Sequence, residues 1–144
     1  MSEARWALGE FREDGVVTLV GYRQDIPGDL KGALPWQFIV EWKFSQMFPG
    51  GLPTEEALAP ALALQAKVTP VIEAHDDAVL AIVSTGHGYR EMYFYCRDPI
   101  LAQERFNSCV QGEDLPVELH SGHDPTWRVF EEFAAPLQGR RTMR

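Results

Sequence analysis

The stretch Ala78-Val-Leu-Ala-Ile-Val-Ser-Thr-Gly-His-Gly-Tyr-Arg-Glu-Met-Tyr-Phe-Tyr-Cys96 decides how this chain folds. Its first part, Ala78 to Ser84, is apolar until the last residue and has the length of a strand. It reads as a central strand covered on both faces. Thr85-Gly-His-Gly88 supplies a turn, and the arm that follows, through Cys96, alternates. Arg90, Met92, Phe94 and Cys96 fall on one face of that arm; Tyr89, Glu91, Tyr93 and Tyr95 fall on the other. The stretch is a β-hairpin.

Toward the amino terminus, Trp36, Phe38, Val40, Trp42 and Phe44 point one way, while Gln37, Glu41, Lys43 and Ser45 point the other with Ile39, a strand with one buried face. Phe48-Pro-Gly-Gly-Leu-Pro53 breaks the chain. Thr54 then caps a helix that opens on Glu55 and Glu56, acids favoured by the helix dipole. Leu58, Ala61, Leu62 and Ala66 keep helical spacing, and Pro60 and Pro70 predict a kink or restart. Residues 24–34 read as a polar loop. Before them, Trp6, Leu8 and Phe11 face Val16 to Tyr22 across Glu13-Asp-Gly15, whose Asp-Gly pair suits a tight hairpin.

Toward the carboxyl terminus, Asp98 and Pro99 start a helix that reaches about Val110. Leu115 to His120 reads as a short strand, placed at an edge by Pro116. Asp124 and Pro125 repeat the start signal, and Trp127, Phe130, Ala134 and Leu137 recur on one helical face. From Trp36 the order is strand, helix, strand, strand, helix, strand, helix. This predicts an α+β fold: a ferredoxin-like split βαβ core, an antiparallel sheet with helices on one face, plus an added N-terminal β-hairpin and a C-terminal helix. One domain is expected over residues 1–144, with the hairpin in 1–23 and the core and terminal helix in 36–137.

The 144 residues carry 13 Lys and Arg against 21 Asp and Glu, a net charge of -8. Such a balance repels phosphate backbones, so no nucleic-acid partner is expected. Cys96 and Cys109 are too few for a disulfide framework and are not spaced as a redox or zinc pair. They read as small buried apolar residues. The apolar runs fall far short of the ~20 residues of a membrane span. Met-Ser-Glu-Ala-Arg-Trp6 has no secretory pattern, so a cytoplasmic protein without membrane partners is expected. The basic end, Arg140 to Arg144, reads as a frayed terminus.

The tyrosine face invites comparison with sheets on which RNA bases stack. Glu91 interrupts it and no basic run flanks it, so Tyr93 and Tyr95 are read as packing residues beneath the amino-terminal hairpin or a partner subunit. The competing expectation is a small-molecule-binding protein or enzyme with a pocket near Arg90, Tyr93, Tyr95 and His87. His120-Ser-Gly-His123-Asp124 has a metal-like separation, and His120, His123 and Asp124 are the candidate ligands, in competition with a capping role for Asp124. His75, Asp76 and Asp77 would complete a shell if the fold brought them near. No nucleophile elbow, catalytic-cysteine signature or phosphate loop is visible. A non-catalytic role without cofactors is the expectation.

The aliphatic strand Ala78 to Ser84, the turn and strand Thr85 to Asp98, and the helix introduced by Asp124-Pro-Thr-Trp127 resemble the family catalogued as domain of unknown function 695 (DUF695), from about Trp36 to Leu137. That resemblance implies no established activity. Domains of the family are sometimes associated with a small acidic regulator that inhibits an endoribonuclease, the type B regulator of ribonuclease E activity, which this chain resembles in size and acidity. The acidic balance, the absence of a reactive constellation and the aromatic face of the hairpin arm predict a protein-binding or regulatory module with an acidic surface and an unidentified protein partner; the resemblance transfers no site residue. A homodimer through an exposed sheet face or edge is also compatible with this pattern.

Overall fold

Two hairpins lie side by side in one antiparallel sheet. The first joins β1 (Trp6–Glu13) to β2 (Val16–Arg23) through Asp14 and Gly15, both at positive φ. The second joins β4 (Ala78–Gly86) to β5 (Tyr89–Cys96) through His87 and Gly88, also both at positive φ. Paired positive φ values give the turn twist that matches strand twist. With β3 (Trp36–Lys43) and β6 (Val117–His123), the computed structural model shows a six-stranded sheet in the order β1-β2-β4-β5-β3-β6, and it describes residues 4–142. That order is not the simple four-strand ferredoxin pattern, because the amino-terminal hairpin continues the sheet beyond β4.

All residues of β4 are buried, as the apolar run from Ala78 to Val83 predicts for most of its length; Thr85 and Gly86, expected in the turn, extend the strand. One sheet face carries Phe38, Val40, Trp42, Met92, Phe94 and Cys96 under α2 (Glu55–Ile72) and α3 (Pro99–Cys109). The opposite face carries Val20, Tyr22, Val79, Ile82 and Tyr95 under α4 (Arg128–Thr142). Helices therefore cover both faces. The tyrosine face is covered by the terminal helix, whereas the hairpin extends the sheet sideways instead of lying on it.

The starts of α2 and α3 follow the sequence signals: Thr54 Oγ1 accepts from the Ala57 N–H at 3.2 Å and Asp98 Oδ1 from the Ile100 N–H at 2.9 Å. The prolines do not break α2, which runs through both Pro60 and Pro70. Both prolines are exposed, so the carbonyls they free face water, while Ala57, Ala61, Leu64, Val68 and Ile72 hold the other side in the core. Of the predicted stripe, Ala61 is buried and Leu58 packs against the core, whereas Leu62 and Ala66 are exposed. The predicted loop at 24–34 contains a short helix, α1 (Gly28–Ala33). β6 is an edge strand as expected, but it runs on to His123. The basic end lies partly outside the described residues. No helix among those described is long and apolar enough to cross a membrane.

Candidate functional site

Arg90 sits at an even position of β5, so the strand's alternation sends it to the α2 side with Met92 and Phe94. There its Nε and Nη2 donate to Gln65 Oε1 of α2 at 3.1 and 2.8 Å, and Nη1 donates to Thr85 Oγ1, its cross-strand partner in β4, at 2.8 Å. The guanidinium is half-buried, and burial lowers its pKa from the usual range. No carboxylate pairs with it among the described residues. A partly desolvated charge with only neutral partners is costly unless something else compensates it.

Arg90, Gln65 and Thr85 line one part of a groove of about 600 Å³ whose other walls are apolar. Trp6 and Leu8 of β1, Leu19 of β2, Leu58 of α2, and Phe48 and Leu52 of the connecting loop enclose it. Leu8 is 82% exposed and Phe48 59% exposed, so the rim presents apolar surface to solvent. The loop is held in place by the β4–β5 turn: the Gly88 N–H donates to the Gly51 carbonyl and the Phe44 N–H to the Gly88 carbonyl, each at 2.9 Å. Gly51 adopts φ +94°, and a Cβ there would lie 2.6 Å from His87 Cα. The His87 side chain is exposed, while its backbone leaves no room for a side chain at Gly51.

Tyr93 and Tyr95 are on the far side of the sheet, so Arg90, Tyr93, Tyr95 and His87 do not converge on one pocket. Strand alternation separates Arg90 from the tyrosines. Tyr95 is fully buried and stacks on Trp127 with ring centroids 3.9 Å apart. Its hydroxyl donates to Asp124 Oδ2 at 2.7 Å and accepts from Gln37 Nε2 at 3.1 Å and the Phe130 N–H at 3.2 Å. Tyr93 packs against Phe133 at 5.5 Å. Burial raises the pKa of both phenols.

The three proposed metal ligands are likewise separated. Asp124 is buried and caps α4, accepting from the Arg128 and Val129 N–H groups at 3.0 Å each. The cap acts further along than expected because Pro125 to Trp127 form a turn, with Trp127 at φ 58°, before the helix begins. His123 packs on Trp36 at 4.5 Å, on the opposite side of β6 from His120, whose Nε2 lies 3.7 Å from Glu41 Oε1. His75 is in the turn after α2, and Asp77 there bridges Arg97 and Arg105. The structure instead gathers Glu41, Glu118 and His120, with ligand atoms within 4.8 Å of one another. Glu91 adjoins them, its pKa raised by burial and then by Glu41.

Gln65 and Thr85 were not legible as site residues, since neither belongs to a motif. A basic residue on the apolar face of β5 was the available sign, and its even position already excluded the company of Tyr93 and Tyr95. A family model described as Family of unknown function (DUF695) matches residues 30–134. The chain belongs to the DUF695 family. Arg90, Gln65 and Thr85 lie within the DUF695 region, while the hairpin that walls the groove precedes it. No curated protein and no solved structure matches the chain.

Proposed function

We propose that this DUF695 protein is a small-molecule-binding protein whose ligand occupies the groove between the amino-terminal hairpin, the 47–53 loop and α2. The observation that carries the reading is the groove itself: a largely apolar cleft of about 600 Å³ with a few polar groups, Arg90, Gln65 and Thr85, gathered in it. Sites for small ligands are commonly concave and apolar, ~300–1,000 Å³ in volume, with a few convergent polar groups that fix orientation. The test uses the neutral solvatochromic dye Nile red. Its emission should rise and shift to the blue on addition of the protein, and Leu19→Glu, which puts a charge on a half-exposed wall, should abolish the change. Dye emission that is unaltered by the wild-type protein, or equally altered by the variant, would count against the reading.

A second reading, an acidic face that docks a basic protein, is favoured by one feature. Glu41, Glu91 and Glu118 gather near the β6 edge, and among the described residues no Lys or Arg pairs with any of them. Recovery of a basic partner that falls with added salt would support this docking face, and recovery indifferent to salt would oppose it. As to architecture, we read β3-α2-β4-β5-α3-β6 as a ferredoxin-like unit extended by the hairpin. The inner strand order β4-β5-β3-β6 and the placement of α2 and α3 on one face support it.

A further inference from the structure

We propose that the groove's ligand is an aliphatic monocarboxylate, a chain with one anionic head, and that the Arg90 guanidinium, held by Gln65 and Thr85, receives the carboxylate. The inference rests on the groove being a ligand site and adds the chemistry of what enters it.

The head group follows from the donors on offer. A guanidinium has five N–H donors. Three of Arg90's are engaged by Gln65 and Thr85, which leaves two. The Gln65 side-chain oxygen faces the guanidinium, and among the described residues no group accepts from its NH₂. Unspent polarity at this part of the groove is thus mainly donor, and it carries one positive charge. An acceptor-only anion such as a carboxylate satisfies it through charge-assisted hydrogen bonds.

The number of charges is limited by the same residues. Among the described residues, Arg90 is the only cationic side chain lining the groove. A phosphate dianion would leave one charge uncompensated in an apolar cleft, inside a chain of net charge -8. Nearby Arg23 does not help, since it is engaged by Asp25 at 2.7 Å and lies 3.9 Å from Glu73. The remaining walls, Trp6, Leu8, Leu19, Phe48 and Leu58, offer no polar side-chain partner beyond the Trp6 indole, so the body of the ligand is hydrocarbon.

Decanoate and 1-decanol differ only in the head, and their titration into the intact protein by calorimetry separates the two claims. Decanoate should bind at unit stoichiometry and more tightly than decanol. Arg90→Gln should weaken decanoate about 10- to 100-fold, the loss expected for a charge-assisted hydrogen bond, while changing decanol little. Arg90 also ties β5 to α2, so a second pair of variants leaves it intact. Leu8→Lys should bind decanoate about threefold more tightly than Leu8→Glu at low ionic strength, with decanol indifferent to the swap. Equal affinity for both probes, or decanoate binding untouched by Arg90→Gln and by the Leu8 charge swap, would overturn the carboxylate assignment and leave the groove standing. Binding of neither probe would overturn both.

Discussion

Replacing Tyr95 with phenylalanine removes one oxygen and keeps the ring that stacks on Trp127, so its effect isolates the hydroxyl. That oxygen joins three elements: it donates to Asp124, which caps α4, and accepts from Gln37 of β3 and from the Phe130 N–H in the first turn of α4. All of these groups are buried. A hydrogen bond to a charged group is worth about 1.5–3 kcal/mol, and each orphaned buried donor costs about 1–3 kcal/mol before relaxation. With relaxation of the Gln37 side chain, the expected loss is about 2–4 kcal/mol. That is a large share of the ~5–15 kcal/mol that separates native from unfolded chains. Equilibrium urea denaturation should show a lower midpoint at an unchanged slope. A double-mutant cycle with Asp124→Asn should give a coupling of at least about 1 kcal/mol, because the two side chains share one network. A midpoint within about 0.5 kcal/mol of wild type would refute the view that this hydroxyl fastens the terminal helix to the sheet.

Three further expectations follow from other parts of the molecule. Glu91 has a pKa raised by burial and then by Glu41, so its protonated form favours the fold; that contribution is present below the ordinary value of 4.5 and is lost as pH rises through the folded value. Glu91→Gln should therefore be more stable than wild type at pH 7, with the difference shrinking toward pH 4, and urea midpoints across that range that stay parallel would oppose it. Gly51→Ala should cost about 1–3 kcal/mol and weaken Nile red binding, since the new Cβ would press on the His87 backbone at a positive φ; a thermal scan identical to wild type would contradict the docking of the loop on the turn. Cys96 is buried with its thiol pushed up to about 12, whereas Cys109 is partly exposed. Iodoacetamide at pH 8 should label Cys109 alone in the folded protein, as read by peptide mass.

Much of the fold was legible because the strands carry their environment in their period. β3 shows a two-residue alternation with a polar back, β4 an unbroken apolar run, and each of the two tight turns has residues that tolerate positive φ. The core face of α4 was equally plain, with Phe130, Ala134 and Leu137 buried, though Trp127 is buried in the turn before the helix and not on it. What the local pattern did not contain was which element covers which face. The tyrosines of β5 read as covered residues, but their cover comes from a helix some 30 residues later, through an Asp124 that is both cap and hydrogen-bond partner. In α2 the prolines argued for a break, and the tertiary packing of a full stripe outweighed their local cost.

The site was less legible for a related reason. Arg90 drew notice, but the partners that define its surroundings come from α2, from β4 and from a hairpin outside the family region. The metal reading of His120, His123 and Asp124 treated sequence neighbours as spatial neighbours. In an extended strand, His120 and His123 emerge on opposite sides, and the chain then turns to spend Asp124 on a helix.

The most direct test of the ligand site is a ¹H–¹⁵N correlation spectrum that includes the Arg90 Nε–H and Gln65 side-chain amide signals, followed as decanoate is added. Both signals should move together and saturate, with the Leu8 and Leu19 amides, while those of Tyr93 and His120 on the other face stay in place. Signals of Arg90 and Gln65 that remain still while the rest of the spectrum responds would contradict the account.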